Sequence, residues 1–137
     1  MHFFTQTEKG LRQALKANDI EQLFKTKIVK LILSKHTDEA LQLLSDYYSV
    51  DVPRLKVGMP KQGGRNAGCY VSRTRTIHVM NREKLEDPFV ILHEFYHHLR
   101  TQGGKHRGTE KYADAFARGF IHASRASQSF SFRVTYS

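Results

Sequence analysis

Apolar residues recur at helical spacing through the N-terminal third of the chain, and helix-ending or capping residues divide that third into three segments. Leu11, Ala14 and Leu15 mark a first helix from Thr5 to Ala17, which Asn18 or Asp19 can end. A second, Ile20 to Ser34, carries the stripe Ile20, Leu23, Phe24, Ile28, Leu31 and Ile32, with lysines on its other side. Thr37 or Asp38 caps a third, which runs to about Tyr48 and turns Ala40, Leu41, Leu43 and Leu44 inward. Stripes of this width predict core packing rather than a free partner-binding arm.

Pro53 closes the helical region, and the period changes from helical to alternating. Leu55 and Val57 alternate with Arg54 and Lys56, as in a half-buried strand. A loop rich in glycine follows. Ala67 to Val71 and Thr76 to Met80 then predict a hairpin closed by the polar turn S-R-T-R. The expectation is a small antiparallel sheet with one exposed edge, and the hairpin is the candidate for that edge.

Two further helices complete the pattern. Asp87 is a good N-cap acceptor, and Pro88 suits the first helical position, where its missing N–H is not needed. Leu92, Phe95 and Leu99 give this helix its apolar side. After T-Q-G-G-K-H-R-G the chain reverses, and Thr109 caps a helix in which Tyr112, Phe116 and Phe120 form an aromatic stripe. The tail returns to strict alternation: Phe130, Phe132, Val134 and Tyr136 predict a strand, added to this sheet or a neighbour's. Such a strand could also occupy a substrate edge and restrain activity.

The whole is an α+β domain spanning residues 1–137: N-terminal helices over 1–50, a core over about 51–125 and a tail over 126–137. At 137 residues the chain suits one core rather than two. No basic leader precedes an apolar run at the start, and no stretch has the length of a membrane span. The single Cys69 excludes an internal disulfide and fits a small buried hydrophobe. Together these predict a cytoplasmic protein with no membrane partner. The net charge of +9 favours acidic partners, nucleic acid among them, and the basic residues concentrate in the middle section from Arg54 to Lys84. No phosphate loop, zinc-finger spacing or RNA-binding aromatic motif sharpens that charge into a site.

The chemistry lies in H-E-x-x-H, formed by His93, Glu94 and His97. At about 100° per residue the two histidines stand about 40° apart, one turn along one helix face. Imidazoles so spaced can share a metal, and Glu94 beside them is placed to act as general base toward a water there. A third ligand is then required. Glu110 on the following helix can supply it, leaving one position open as in hydrolytic rather than structural zinc sites. Asp114, one turn further on, can accept a hydrogen bond from a ligating imidazole. Asp114 itself and His106 compete with Glu110 as the third ligand. A metzincin would need Gly and His where Arg100 and Gly103 stand, which excludes that class. Tyr112, His106, Arg107 and Tyr70 are candidates for stabilising a transition state.

H-E-F-Y-H-H-L followed by E-K-Y-A-D-A-F-A resembles the ImmA/IrrE family of small intracellular zinc peptidases, within the gluzincin group. R-T-I-H-V-M-N is similar to the strand that leads into that family's motif helix, and the likeness covers about Leu41 to Ile121. The second acidic position of the family's downstream motif is Tyr112 here, and its usual Asn is Asp114. The resemblance implies one bound zinc ion, with His93, His97 and Glu110 as ligands and Glu94 as general base. It implies hydrolysis of a peptide bond in an intracellular protein, a DNA-binding repressor being one substrate class. Two other functions fit the sequence: a basic nucleic-acid-associated protein, and a metal-holding relative that binds a protein partner without cleaving it.

Overall fold

A computed structural model describes residues 6–61, 64–103 and 109–136, with side chains described between 16 and 128 of these. The chain order is α1 (Gln6–Leu33), α2 (Thr37–Tyr48), β1 (Arg54–Val57), β2 (Gly68–Val71), β3 (Thr76–Val79), a 3-10 turn (Arg82–Glu86), α3 (Pro88–Gly103) and α4 (Glu110–Tyr136). The architecture is α+β, as the periodicities predict: four helices and one small three-stranded sheet. Among the described residues no helix is long and apolar enough to cross a membrane.

The two expected N-terminal helices are one. α1 continues through Asn18 and Asp19 without a break. Each of those residues costs well under about 1 kcal/mol inside a helix, and continuing adds a hydrogen bond for each residue fixed, whereas restarting requires a new nucleus. The stripe on α1 is also rotated. Ile28, Val29 and Ile32 are buried, but Ile20 and Leu23 are 64% and 66% exposed. The cause is α4, which packs over the Gln22 and Thr26 side of α1. Thr26 donates its hydroxyl to the Gln22 carbonyl at 2.8 Å and accepts from the Ser127 hydroxyl at 3.1 Å.

α2 starts at Thr37, but Thr37 does not cap it. The residue before the helix is His36, whose side chain makes no cap bond, and the Thr37 hydroxyl donates instead to the Leu85 carbonyl. That bond ties α2 to the turn just ahead of α3. Ala40, Leu41 and Leu44 face inward as expected.

The strand order is β1-β3-β2. The hairpin pairs β2 and β3 antiparallel, with Gly68 opposite Val79 and Tyr70 opposite Ile77. β1 runs parallel to β3, with Leu55 beside Ile77, so the sheet is mixed rather than wholly antiparallel. The reason is the connection between β1 and β2. Gly58 opens it at φ 110°, a backbone state open to glycine, and donates its N–H to the Val79 carbonyl at 2.8 Å. The chain then reverses across the width of one strand, and β3 returns into the gap.

Both caps in the second half form as expected. Asp87 Oδ1 accepts from Phe89 N at 3.0 Å and Val90 N at 3.4 Å, and Thr109 Oγ1 accepts from Tyr112 N at 3.4 Å. One hydrophobic core joins the elements, with Ile28, Ile32, Leu41, Leu44, Ile77, Ile91, Leu92, Phe95, Leu99 and Phe120 almost fully buried. α4 contributes Ala113, Ala117 and Phe120 to it, whereas Tyr112 is 42% exposed. The tail is not a strand: α4 continues as helix to Tyr136. Nothing between Glu110 and Tyr136 stops a helix outright, since the segment has no proline, and extension of an established helix outweighs the local S-F-S-F alternation. A tail strand restraining the substrate edge is therefore ruled out.

Candidate metal centre

α3 carries the motif between the sheet and α4. Its apolar face, through Ile91, Leu92, Phe95 and Leu99, enters the core, and that packing fixes the helix in rotation. His93 and His97 are thereby presented one turn apart, their ring centroids separated by 5.1 Å. One donor atom from each of His93, Glu94 and His97 lies within 4.8 Å of the others, a group that could hold a metal ion.

The first turn of α4 faces the same group. Glu110 places Oε2 2.8 Å from His93 Nε2 and Oε1 3.0 Å from His97 Nε2. On the far side of the His93 ring, Nδ1 lies 2.9 Å from Asp114 Oδ1. Both Nε2 atoms thus converge on one carboxylate, and a second carboxylate fixes the ring of His93 through its other nitrogen. Glu110 and Asp114 do not compete for one position: the first faces the histidine pair, the second backs one member of it. His106 and Arg107 lie outside the described residues. Tyr112 is not among the described residues that wall the cleft.

The electrostatics differ between the two glutamates of the site. Glu94 is 8% exposed, and burial pushes its carboxyl up to about 7, with Glu110 adding to the rise and His93 opposing it. The Glu110 side chain is 76% exposed and reaches in from the solvent side. Burial lowers the pKa of His97, against a smaller upward pull from Glu110, and so favours the neutral imidazole that binds metals. Burial also raises the Cys69 thiol, with Glu94 as a second cause, and the residue is half-buried on β2. A thiol shifted upward is a poor nucleophile and a poor ligand.

These groups border an open cleft of about 600 Å³, walled by α3 on one side and by Asn66 to Tyr70 on the other. β2 is an edge strand of the described sheet. The Met80 N–H bonds to the Ala67 carbonyl at 2.8 Å, so alternation along the antiparallel pair turns the backbone groups of Gly68 and Tyr70 away from β3.

Two residues that shape the site escaped the sequence reading. Gly68 is the first: a Cβ there would stand 2.7 Å from Val90 Cγ1 and 3.2 Å from Glu94 Cγ. Only glycine lets β2 approach the motif helix this closely, and a glycine inside a strand was the available signal. Gly68→Ala is expected to push β2 off α3 and cost about 1–3 kcal/mol of stability. Urea unfolding measures this, and an unchanged midpoint would show that the contact relaxes freely.

His98 is the second. It is fully buried, with Nε2 2.6 Å from the Asp51 carbonyl and Nδ1 2.7 Å from the Tyr70 hydroxyl. A carbonyl only accepts, so Nε2 carries the proton and Nδ1 accepts from Tyr70. Burial lowers the pKa of His98 and keeps it in this neutral form. Tyr70 is therefore occupied in holding β2 to α3. The signal was its position, about 140° round the helix from His93 and beside Ile91 at the edge of the apolar face.

Compared with known proteins, the chain matches no family model, no curated sequence and no solved structure at a significant level.

Proposed function

We propose that this protein is a zinc-dependent endopeptidase acting on an intracellular protein. One observation carries the reading: the Nε2 atoms of His93 and His97 converge on the Glu110 carboxylate, beside the buried carboxylate of Glu94, in a cleft open along a sheet edge. Two imidazoles and a carboxylate form the donor set of hydrolytic zinc sites, and neutral His97 suits it. His93, His97 and Glu110 would hold the ion. Zinc bound there would supply Lewis acidity toward the scissile carbonyl and toward water.

The chain's own groups account for the remaining work. Asp114 accepts the Nδ1 proton of His93, which fixes the tautomer and leaves Nε2 for the ion. Glu94 takes a proton from the attacking water and later delivers it to the leaving amine. The outward backbone groups of Gly68 and Tyr70 bind substrate as an added strand, which aligns one peptide bond with Glu94. The ImmA/IrrE resemblance of the motif and of the first turns of α4 supports the same chemistry and suggests a DNA-binding repressor as substrate.

Elemental mass spectrometry of the purified protein tests the centre directly. The expected result is about one zinc per wild-type chain, retained in Glu94→Gln and lost in His97→Ala and Glu110→Ala. Asp114→Ala should keep the site but weaken zinc affinity by about 10–100-fold. A folded wild type that takes up no zinc after resupply would overturn the reading. Zinc retained in Glu110→Ala would move the third ligand elsewhere. Tight capture of a protein partner without cleavage would favour a binding role. DNA affinity with a steep salt slope, unchanged in Glu94→Gln, would favour the basic surface instead.

A further inference from the structure

The cleft has two chemically different ends. α3 and β2 run along it in the same sense: Gly68 lies against Val90 and Glu94, whereas Tyr70 reaches His98 and Thr101 further on. Ala67, Phe89 and Val90, with Asn66 at the margin, wall the first end; Ser72, Arg100 and Thr101 wall the second. At that second end the polar groups are not equally free. The Thr101 hydroxyl donates to the His98 carbonyl at 2.9 Å, and the Tyr70 hydroxyl is taken up by His98 Nδ1. Arg100 is exposed, and among the described residues no carboxylate pairs with it. It stands three residues after His97, on the neighbouring turn of the same helix face. Arg100 thus borders one end of the cleft, and among the described residues no acceptor takes its guanidinium donors.

We propose that Arg100 selects peptides carrying an acidic side chain on one side of the aligned peptide bond, with an apolar side chain on the other side seated against Phe89 and Val90. The inference rests on the peptidase reading for what the cleft holds, but concerns recognition rather than hydrolysis. A carboxylate fits the guanidinium fork through two parallel N–H···O bonds, which gives direction as well as charge. The apolar end offers a carboxylate the neutral amide of Asn66 but no cation, so a substrate inserted in the reverse order would exchange a guanidinium for a weaker partner there.

Binding separates this selection from catalysis. Zinc-loaded Glu94→Gln protein is titrated, by fluorescence anisotropy, with labelled peptides that share one sequence and differ at a single scanned position among Asp, Asn and Lys. At one position the Asp peptide should bind about tenfold tighter than the Asn peptide. Arg100→Ala in the same background should level the series, and Arg100→Glu should reverse it in favour of Lys. Thermal unfolding and zinc content of both variants show that fold and centre persist. A series that binds without charge preference, one that keeps its preference in Arg100→Ala, or one that does not bind overturns the inference. Charge-selective binding of peptides that the wild type never cleaves would sustain the inference and overturn the peptidase reading.

Discussion

Peptide hydrolysis by Glu94→Gln should fall by about 10²–10⁴-fold, the contribution of a positioned general base, while zinc content and unfolding midpoint hold. Glutamine keeps the shape that fits against Gly68, so the fold is not asked to repack. It cannot accept the proton of an attacking water. The buried position of Glu94 also means that no bulk carboxylate substitutes for it. The measurement is single-turnover cleavage of an identified substrate, with metal content determined on the same sample. Hydrolysis at the wild-type rate would remove Glu94 from the chemistry. Loss of zinc together with activity would instead make Glu94 a ligand, which its 4.8 Å grouping with the two histidines also permits.

The largest stability effect outside the centre should come from His98→Ala, at about 2–4 kcal/mol. The substitution leaves a cavity against Phe95 and Tyr70, and strands the Asp51 carbonyl and the Tyr70 hydroxyl with no imidazole between them. Tyr70→Phe removes one of those bonds and keeps the packing, so it should cost about 1 kcal/mol. Denaturant unfolding of both variants gives the two numbers. Equal effects would mean that the Asp51 bond contributes nothing. An effect of His98→Ala below that of Tyr70→Phe would contradict the link between β2, α3 and the segment before β1.

The motif was legible because it is local. His93, Glu94 and His97 lie within one and a half turns, and helical geometry alone sets their relation. Asp87 and Thr109 were legible for the same reason, since a cap is read from its immediate neighbours. Glu110 and Asp114 were visible as candidates, but their different positions around His93 depend on how α4 crosses α3, which spacing within one helix does not encode. The failures share that cause. The exposure of Ile20 and Leu23 follows from α4 packing on α1, and the parallel pairing of β1 follows from a loop that skips a strand. Gly68 and His98 gave local signals, a glycine in a strand and a histidine among apolar positions, whose meaning depended on the elements opposite. The tail shows local alternation misread: its period was that of a strand, but it extends a helix already formed.

The pairing of α1 with α4 sets an order on the making of the molecule. α1 leaves the ribosome well before α4, the helix that bears Glu110 and packs over Thr26. During synthesis at about 5–20 residues per second, the nascent chain therefore carries both motif histidines before it has the carboxylate that faces them. α1 meanwhile waits for a partner about a hundred residues further on, as Thr26 does for Ser127. Completion of the fold and completion of the centre become a single late event. A metal centre built in this way stays incomplete while the unfolded segments of its own domain are still exposed beside it.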